Sequence, residues 1–147
     1  MADLTIRGAM DKTALDTFLA EPNLARIATI RNNRPHVVPM WFDWDGESIW
    51  METGLGFQKH KNLLANPACA VTIDVTEGGL RFKGVIFEGT AEIITEPVDE
   101  VRETVIRIYR KYLGDEGIAA PAPREMIDNP HAIIRLRPSR IQTWDET

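Results

Sequence analysis

The sequence predicts a mainly β fold with flanking helices, an antiparallel barrel of about six strands with the helices packed outside it. Three observations carry that expectation. The apolar runs are short and bounded by turn-forming residues, most of the strand-like runs follow one another directly, and helical periodicity appears in only a few segments. The pattern argues against a doubly wound α/β arrangement, because strands and helices do not alternate. With 147 residues and no internal repeat or linker, the chain reads as a single domain spanning 1–147.

Taken in order, the elements begin with a helix over Lys12–Ala20. Asp11 is its N-cap, Met10 can staple its first turn, Leu15, Phe18 and Leu19 form its apolar stripe, and Pro22 ends it. Leu24–Ile30 reads as a strand, followed by the turn cluster Arg31-Asn32-Asn33-Arg34-Pro35. His36–Trp44 is dense in strand formers. Asp45-Gly46 predicts a two-residue type I′ hairpin, with Glu47–Thr53 returning antiparallel. The loop Thr53-Gly54-Leu55-Gly56-Phe57 leads into a short helix over Gln58–Ala65, closed by Asn66-Pro67.

Cys69–Thr76 reads as the next strand, turning at Glu77-Gly78-Gly79. Leu80–Thr95 is too long for one flat strand, and Gly84 and Gly89 are expected to mark bulges or bends. Pro97–Leu113 predicts a helix with Pro97 near its first position and Val98, Val101, Val105, Ile108 and Tyr112 on its apolar face. Glu103 and Arg107 form an expected i, i+4 pair, and Gly114 stands where a C′ residue belongs. Pro121-Ala122-Pro123 reads as an irregular connection. The chain finishes with a strand over His131–Arg137 and a second segment over Ile141–Trp144.

Composition narrows the function. A net charge of −5 argues against a general nucleic-acid binder. No apolar run approaches the roughly 18 residues of a membrane span, and residues 1–12 lack the apolar stretch of a secretory signal. The single cysteine, Cys69, can form no internal disulfide and reads as a small buried hydrophobe, which suits a reducing cytoplasm. Ser48 and Ser139 sit in no nucleophile turn, the three histidines have no metal-ligand spacing, and Gly54-x-Gly56 lacks the rest of a dinucleotide or ATP loop. A chain without proton-transfer or nucleophilic apparatus is either a binder or a host for a cofactor that performs the chemistry.

Two segments favour the host. From Thr53 to Ile73 there is no acidic residue, only Lys59 and Lys61 flanking His60 at the start of a helix. Unpaired N–H groups and the positive helix end suit a small anion there, although Lys59 and Lys61 cannot share one helix face; a solvated helix with two surface lysines is the plain alternative. In His36-Val37-Val38-Pro39-Met40-Trp41-Phe42, Pro39 removes a ladder donor, so the strand is interrupted or lies at an edge. Backbone groups at Val38, Met40 and Trp41 are then free for a planar polar ligand, or the segment is an ordinary edge strand.

These segments, with Leu24–Ile30, Ile49–Thr53, Phe87–Glu92, Ser139–Asp145 and above all the Lys59-x-x-Asn62-Leu63-x-x-Asn66-Pro67 helix, resemble the pyridoxamine 5′-phosphate oxidase-like superfamily of split β-barrels. The resemblance covers nearly the whole chain and is nearest to the small flavin and deazaflavin oxidoreductases. It implies a six-stranded FMN-binding split barrel with Greek key connections. It also implies a homodimer with two cofactor sites at the subunit interface, each holding FMN or coenzyme F420. By the same resemblance Lys59 and Lys61 would hold the phosphate, with Gln58, Asn62 and Thr53 as supporting polar contacts. The backbone of Val38, Pro39, Met40 and Trp41 would edge the ring, and Trp144 either reaches a neighbouring site or packs.

The implied activity is hydride transfer between the cofactor and a small organic substrate, with no side chain acting as a dedicated acid or base. The chain lacks an extended C-terminal region beyond Trp144, which argues against vitamin B6 oxidation. Phe57 stands where some relatives place a basic residue, which lowers positive charge near a cofactor tail. A non-catalytic carrier or sensor on the same barrel, and an unliganded structural dimer, are the competing functions. The colour of the purified protein, and its bleaching by electron acceptors, separates the three.

Overall fold

A computed structural model describes residues 5–79 and 81–147. Its elements run β1 (Ile6–Gly8), α1 (Lys12–Ala20), β2 (Ala25–Arg31), β3 (Arg34–Met40), β4 (Asp43–Trp44), β5 (Ile49–Gly54), α2 (Gln58–Ala65), β6 (Ala68–Glu77), β7 (Arg81–Ile94), α3 (Val98–Ala119), α4 (Pro121–Asp128) and β8 (His131–Asp145). The sheet follows the order β3-β2-β6-β7-β8-β5-β4, and β1 pairs in parallel with β8. Every other pairing is antiparallel. The mainly β architecture with flanking helices therefore stands, but the sheet has eight strands rather than six and is open between β3 and β4. The extra strands are β1, whose three residues are too short to register as apolar alternation, and β4, because the expected His36–Trp44 run leaves the ladder at Trp41 and Phe42 and divides into β3 and β4.

The barrel interior is filled by inward residues of the strands, including Ile27, Met51, Ile73, Phe87 and Leu136, and α1 delivers Leu15, Phe18 and Leu19 into the same core. At about 25 cal/mol per Å², each such side chain stabilises the fold by about 1.5–3 kcal/mol. The start of α1 is as expected: Asp11 accepts a hydrogen bond from the Ala14 N–H at 2.8 Å. A second apolar cluster forms outside the barrel, where Val101, Val105, Ile108 and Tyr109 of α3 and Ile127 of α4 cover Trp50 and Ile133.

Several local expectations need correction. Asp45-Gly46 is not a two-residue turn: Trp44 pairs with Ile49, leaving a four-residue loop. The Asp45 carboxylate accepts from the Glu47 and Ser48 N–H groups and from the Trp50 indole, mimicking a backbone turn. The type I′ signature belongs instead to Asn32 and Asn33, whose φ values are 51° and 61°. Gly89 does mark a bulge, opposite Pro138. Gly84 pairs regularly with Asp74 and Trp144, and its absent side chain makes room: a Cβ there would lie 2.5 Å from the Trp144 ring. Leu80, the expected start of β7, lies outside the described residues.

Val98 is exposed, because Pro97 is the N-cap rather than a position inside α3. Arg107 pairs with Asp43 of β4 rather than with Glu103. Gly114, with φ of 71°, breaks α3 as a C′ residue does, but a further short helical piece follows it. The Pro121-Ala122-Pro123 segment is the first turn of α4, where proline's missing N–H costs nothing. His131–Arg137 and Ile141–Trp144 are parts of one strand, since the bulge at Gly89 accommodates Pro138.

Candidate functional site

Helix α2 follows β5 directly, and its first turn has no side-chain cap: Phe57 occupies the N-cap position without such a bond. The uncapped end leaves N–H donors for an anion. Lys59 and Lys61 leave this helix in different directions, about 200° apart for two residues of a 3.6-residue turn. The Lys59 ammonium lies 5.1 Å from the Phe57 ring centroid. Burial pushes its pKa below the ordinary lysine value, and Glu52 works against that shift. Lys61 instead lines a cavity of about 510 Å³ together with Gln58, Asn62 and Arg31. The two lysines therefore do not close on a single point from one side.

Polar side chains brace that cavity from the barrel outward. Thr29 and Asn62 are 1% and 3% exposed, and the Asn62 amide donates to the Thr29 hydroxyl at 3.0 Å. Asn62 accepts from Gln58 at 2.6 Å, and Gln58 accepts from the Arg31 guanidinium at 3.2 Å. Gln58 and Asn62 are thus committed to internal bonds as well as lining the cavity. Thr53 is buried at 1% exposure, and its hydroxyl donates to the Gly54 carbonyl.

Strand β3 is an edge, bonded along the sheet only to β2, so one side of its backbone is free at Val38–Met40. Its last side chain, Met40, enters the barrel core, while Val38 packs partly against it and Pro39 faces outward. The Trp41 side chain is not free: it stacks on Tyr112 at 4.6 Å and meets Tyr109 edge-on at 5.3 Å. The Tyr112 hydroxyl accepts from the Phe42 N–H and donates to the Asn23 carbonyl. Lys111, whose pKa burial lowers to about 8, donates to the Leu19 carbonyl and lies 3.6 Å from the Phe42 ring centroid. Helix α3 therefore fixes the corner at which β3 ends.

Trp144 stands apart within one chain. It pairs with Gly84, whereas α2 meets β7 near Ala91, whose N–H bonds Pro67. Seven residues of strand separate the two points, about 20 Å.

A cluster that the sequence did not disclose lies beside Lys59. The His131 ring faces two acceptors, the Glu52 carboxylate at 2.8 Å from Nδ1 and the Met126 carbonyl at 2.7 Å from Nε2. Two acceptors require two N–H donors, so the imidazolium is favoured. The Glu52 hydrogen bond leads the causes that raise the His131 pKa. Tyr109 donates to the other Glu52 oxygen at 3.4 Å, and burial first, then Glu52, pushes its pKa up to about 12. Alternation in β5 places Glu52 on the α3 side, but nothing local names His131, 79 residues away, as its partner.

No group of three or more metal-ligating side chains occurs among the described residues, and no helix is long and apolar enough to cross a membrane. Among curated proteins none matches the chain. Solved structures do. A conserved hypothetical protein from Mycobacterium tuberculosis is 27% identical with a TM-score of 0.80, covering 99% of this chain and 91% of that one. An F420 reductase is 28% identical with a TM-score of 0.65, covering 86% and 94%. A FAD and heme binding protein from Mycobacterium smegmatis, at 16% identity, shares the fold with a TM-score of 0.72 over 95% and 75%. Residues 11–145 match the family described as pyridoxamine 5′-phosphate oxidase, and with the barrel and the α2 helix in place the chain belongs to that family.

Proposed function

We propose that the protein is an oxidoreductase that binds a flavin-type cofactor, FMN or coenzyme F420, and passes a hydride between it and a small organic substrate. The observation that carries this reading is the uncapped start of α2 with Lys59 beside it and no acid from Thr53 to Ile73, next to the free backbone edge of β3. Neither Lys59 nor Lys61 forms an ion pair among the described residues. A phosphate fits this end: the first-turn N–H groups and Lys59 supply donors and positive charge, and the half-buried ammonium gains most from an anionic partner.

When bound, the cofactor supplies the hydride chemistry. The chain's own residues bind and orient it. Lys59 and the α2 N–H groups hold the phosphate, and the Val38–Trp41 backbone meets the polar ring edge. Thr53, Gln58 and Asn62 support the loop and helix between them. No side chain is assigned a proton-transfer role.

A homodimer belongs to the same reading. Phe82 and Ile86 remain 43% and 39% exposed on the face of β7 where Trp144 covers Gly84. A second copy seated there would bring Trp144 towards the neighbouring site.

Titration of the purified protein with FMN and with coenzyme F420, followed by visible absorbance, tests the reading. Binding of one of them, and bleaching or colour recovery with electron acceptors, supports it. A protein that binds neither is no oxidoreductase of this kind, and a bound cofactor that exchanges no electrons with any acceptor marks a carrier.

A further inference from the structure

We propose that Glu52 and His131 are positioning residues for Lys59, and that the proton on His131 decides how tightly the start of α2 holds an anion. Binding is strong while His131 is an imidazolium and weakens as that proton leaves. The identity of the anion, a cofactor phosphate, rests on the flavin-type reading.

Three elements bring these side chains to one end of the barrel wall. In the β5–β8 ladder Gly54 lies opposite His131, so by strand alternation Glu52, Gly54 and His131 share one face. Glycine at position 54 leaves room for the Phe57 ring, which would lie 3.1 Å from a Cβ there. The Lys59 ammonium lies 5.1 Å from the centroid of the same ring, and Glu52 is the carboxylate whose charge acts on it. Yet Lys59 and Glu52 form no ion pair among the described residues. Both Glu52 oxygens are engaged elsewhere, one by His131 Nδ1 at 2.8 Å and the other by the Tyr109 hydroxyl at 3.4 Å.

The His131 side chain is only 8% exposed and its two nitrogens face two acceptors. An imidazolium donates to both. A neutral imidazole has one N–H and must give up either Glu52 or the Met126 carbonyl. The carbonyl is fixed in the backbone of α4, whereas Glu52 can turn its side chain towards Lys59. A carboxylate on Lys59 then competes with an anion for the same ammonium. The groups facing the ring are Glu52 of β5 and the backbone of Met126 and Ile127 in α4, with Tyr109 of α3 and Lys59 of α2 behind Glu52. His60, at the same end of α2, accepts the Gly56 N–H at 3.0 Å through Nδ1. Because the Glu52 hydrogen bond raises the folded pKa of His131, anion affinity is full below the ordinary value of about 6.5 and falls as pH rises through the folded value.

Proton and anion binding are linked, so an anion on Lys59 must raise the proton affinity of His131 by the same factor. NMR titration of the imidazole signals, in sulfate and in chloride at equal ionic strength, measures that factor without any cofactor, and sulfate keeps its charge throughout. Sulfate is expected to raise the His131 midpoint by about half a pH unit, or about threefold in affinity, and to leave it unmoved in Lys59→Gln. Glu52→Gln, checked for folding by circular dichroism, removes the competitor. It should bind sulfate at least as tightly as wild type and without dependence on the His131 proton, whereas structural damage would weaken binding. An unmoved wild-type midpoint, a shift that survives in Lys59→Gln, or a folded Glu52→Gln that binds sulfate more weakly than wild type overturns the proposal. If sulfate moves His131 as expected while neither FMN nor coenzyme F420 binds, the flavin-type reading fails and the coupling stands.

Discussion

Trp41 and Tyr112 stack almost parallel, with ring centroids 4.6 Å apart and planes 6° apart, so α3 grips the last residue of the segment proposed to edge the cofactor ring. Such pairs contribute about 0.5–1.5 kcal/mol beyond their buried area. The Tyr112 hydroxyl adds two bonds, to the Phe42 N–H and the Asn23 carbonyl. Tyr112→Phe keeps the stack and strands both partners. Urea unfolding is expected to show a loss of about 1–3 kcal/mol. Cofactor affinity should fall with it, and unchanged affinity would detach α3 from the site.

Lys59→Ala is expected to weaken binding of FMN or coenzyme F420 by about tenfold or more, since it removes the half-buried cation at the uncapped helix end. Lys59→Arg should recover part of the loss. An absorbance titration within twofold of wild type would refute the anchoring role.

His131 makes stability depend on pH in a defined direction. Its folded pKa is raised, chiefly by the Glu52 hydrogen bond, so the folded state binds the proton more tightly than the unfolded chain. The contribution is full below the ordinary histidine value of about 6.5 and is lost as pH rises through the folded value. The groups facing the ring are Glu52 and the backbone of Met126 and Ile127, and Glu52 also faces Tyr109 and Lys59. His131→Gln should flatten this dependence in thermal melts taken from pH 6 to pH 9. A variant that keeps the wild-type slope would remove the imidazolium from the account.

Gly84→Ala should destabilise the fold by about 1–3 kcal/mol in denaturant titration, because overpacking forces neighbours apart. The added Cβ would sit 2.5 Å from the Trp144 ring and 2.8 Å from the Ile73 carbonyl oxygen. Pairing the change with Trp144→Ala should recover part of the loss; a neutral single variant would show that the ring moves aside freely.

Helices α1 and α2 were legible in the sequence to the residue, because Asp11, Pro22, Asn66 and Pro67 are local stop and start signals. Helix α4 was not, since two prolines at a helix start look like a loop until tertiary packing of Ile127 holds the helix. The turn at Asp45 was misread because an aspartate can satisfy loop amides with its own carboxylate as well as take a positive φ. At the site, Gln58, Lys61 and Asn62 could be seen as one motif, but Arg31 reaches them only across the β2–β3 turn. The Glu52–His131 pair joins strands far apart in sequence, so only the β5–β8 register reveals it.

The two ends of the sheet, β3 and β4, are consecutive in the chain and joined by Trp41 and Phe42 alone. The slit in the barrel is therefore sewn shut at that corner, like a sleeve stitched at the cuff. The far mouth lies where β3 begins at Arg34 and β5 ends at Gly54. Helix α2 emerges from that mouth and packs back on β2, so a ligand held at the start of α2 rests on the same strand that carries the free edge strand β3.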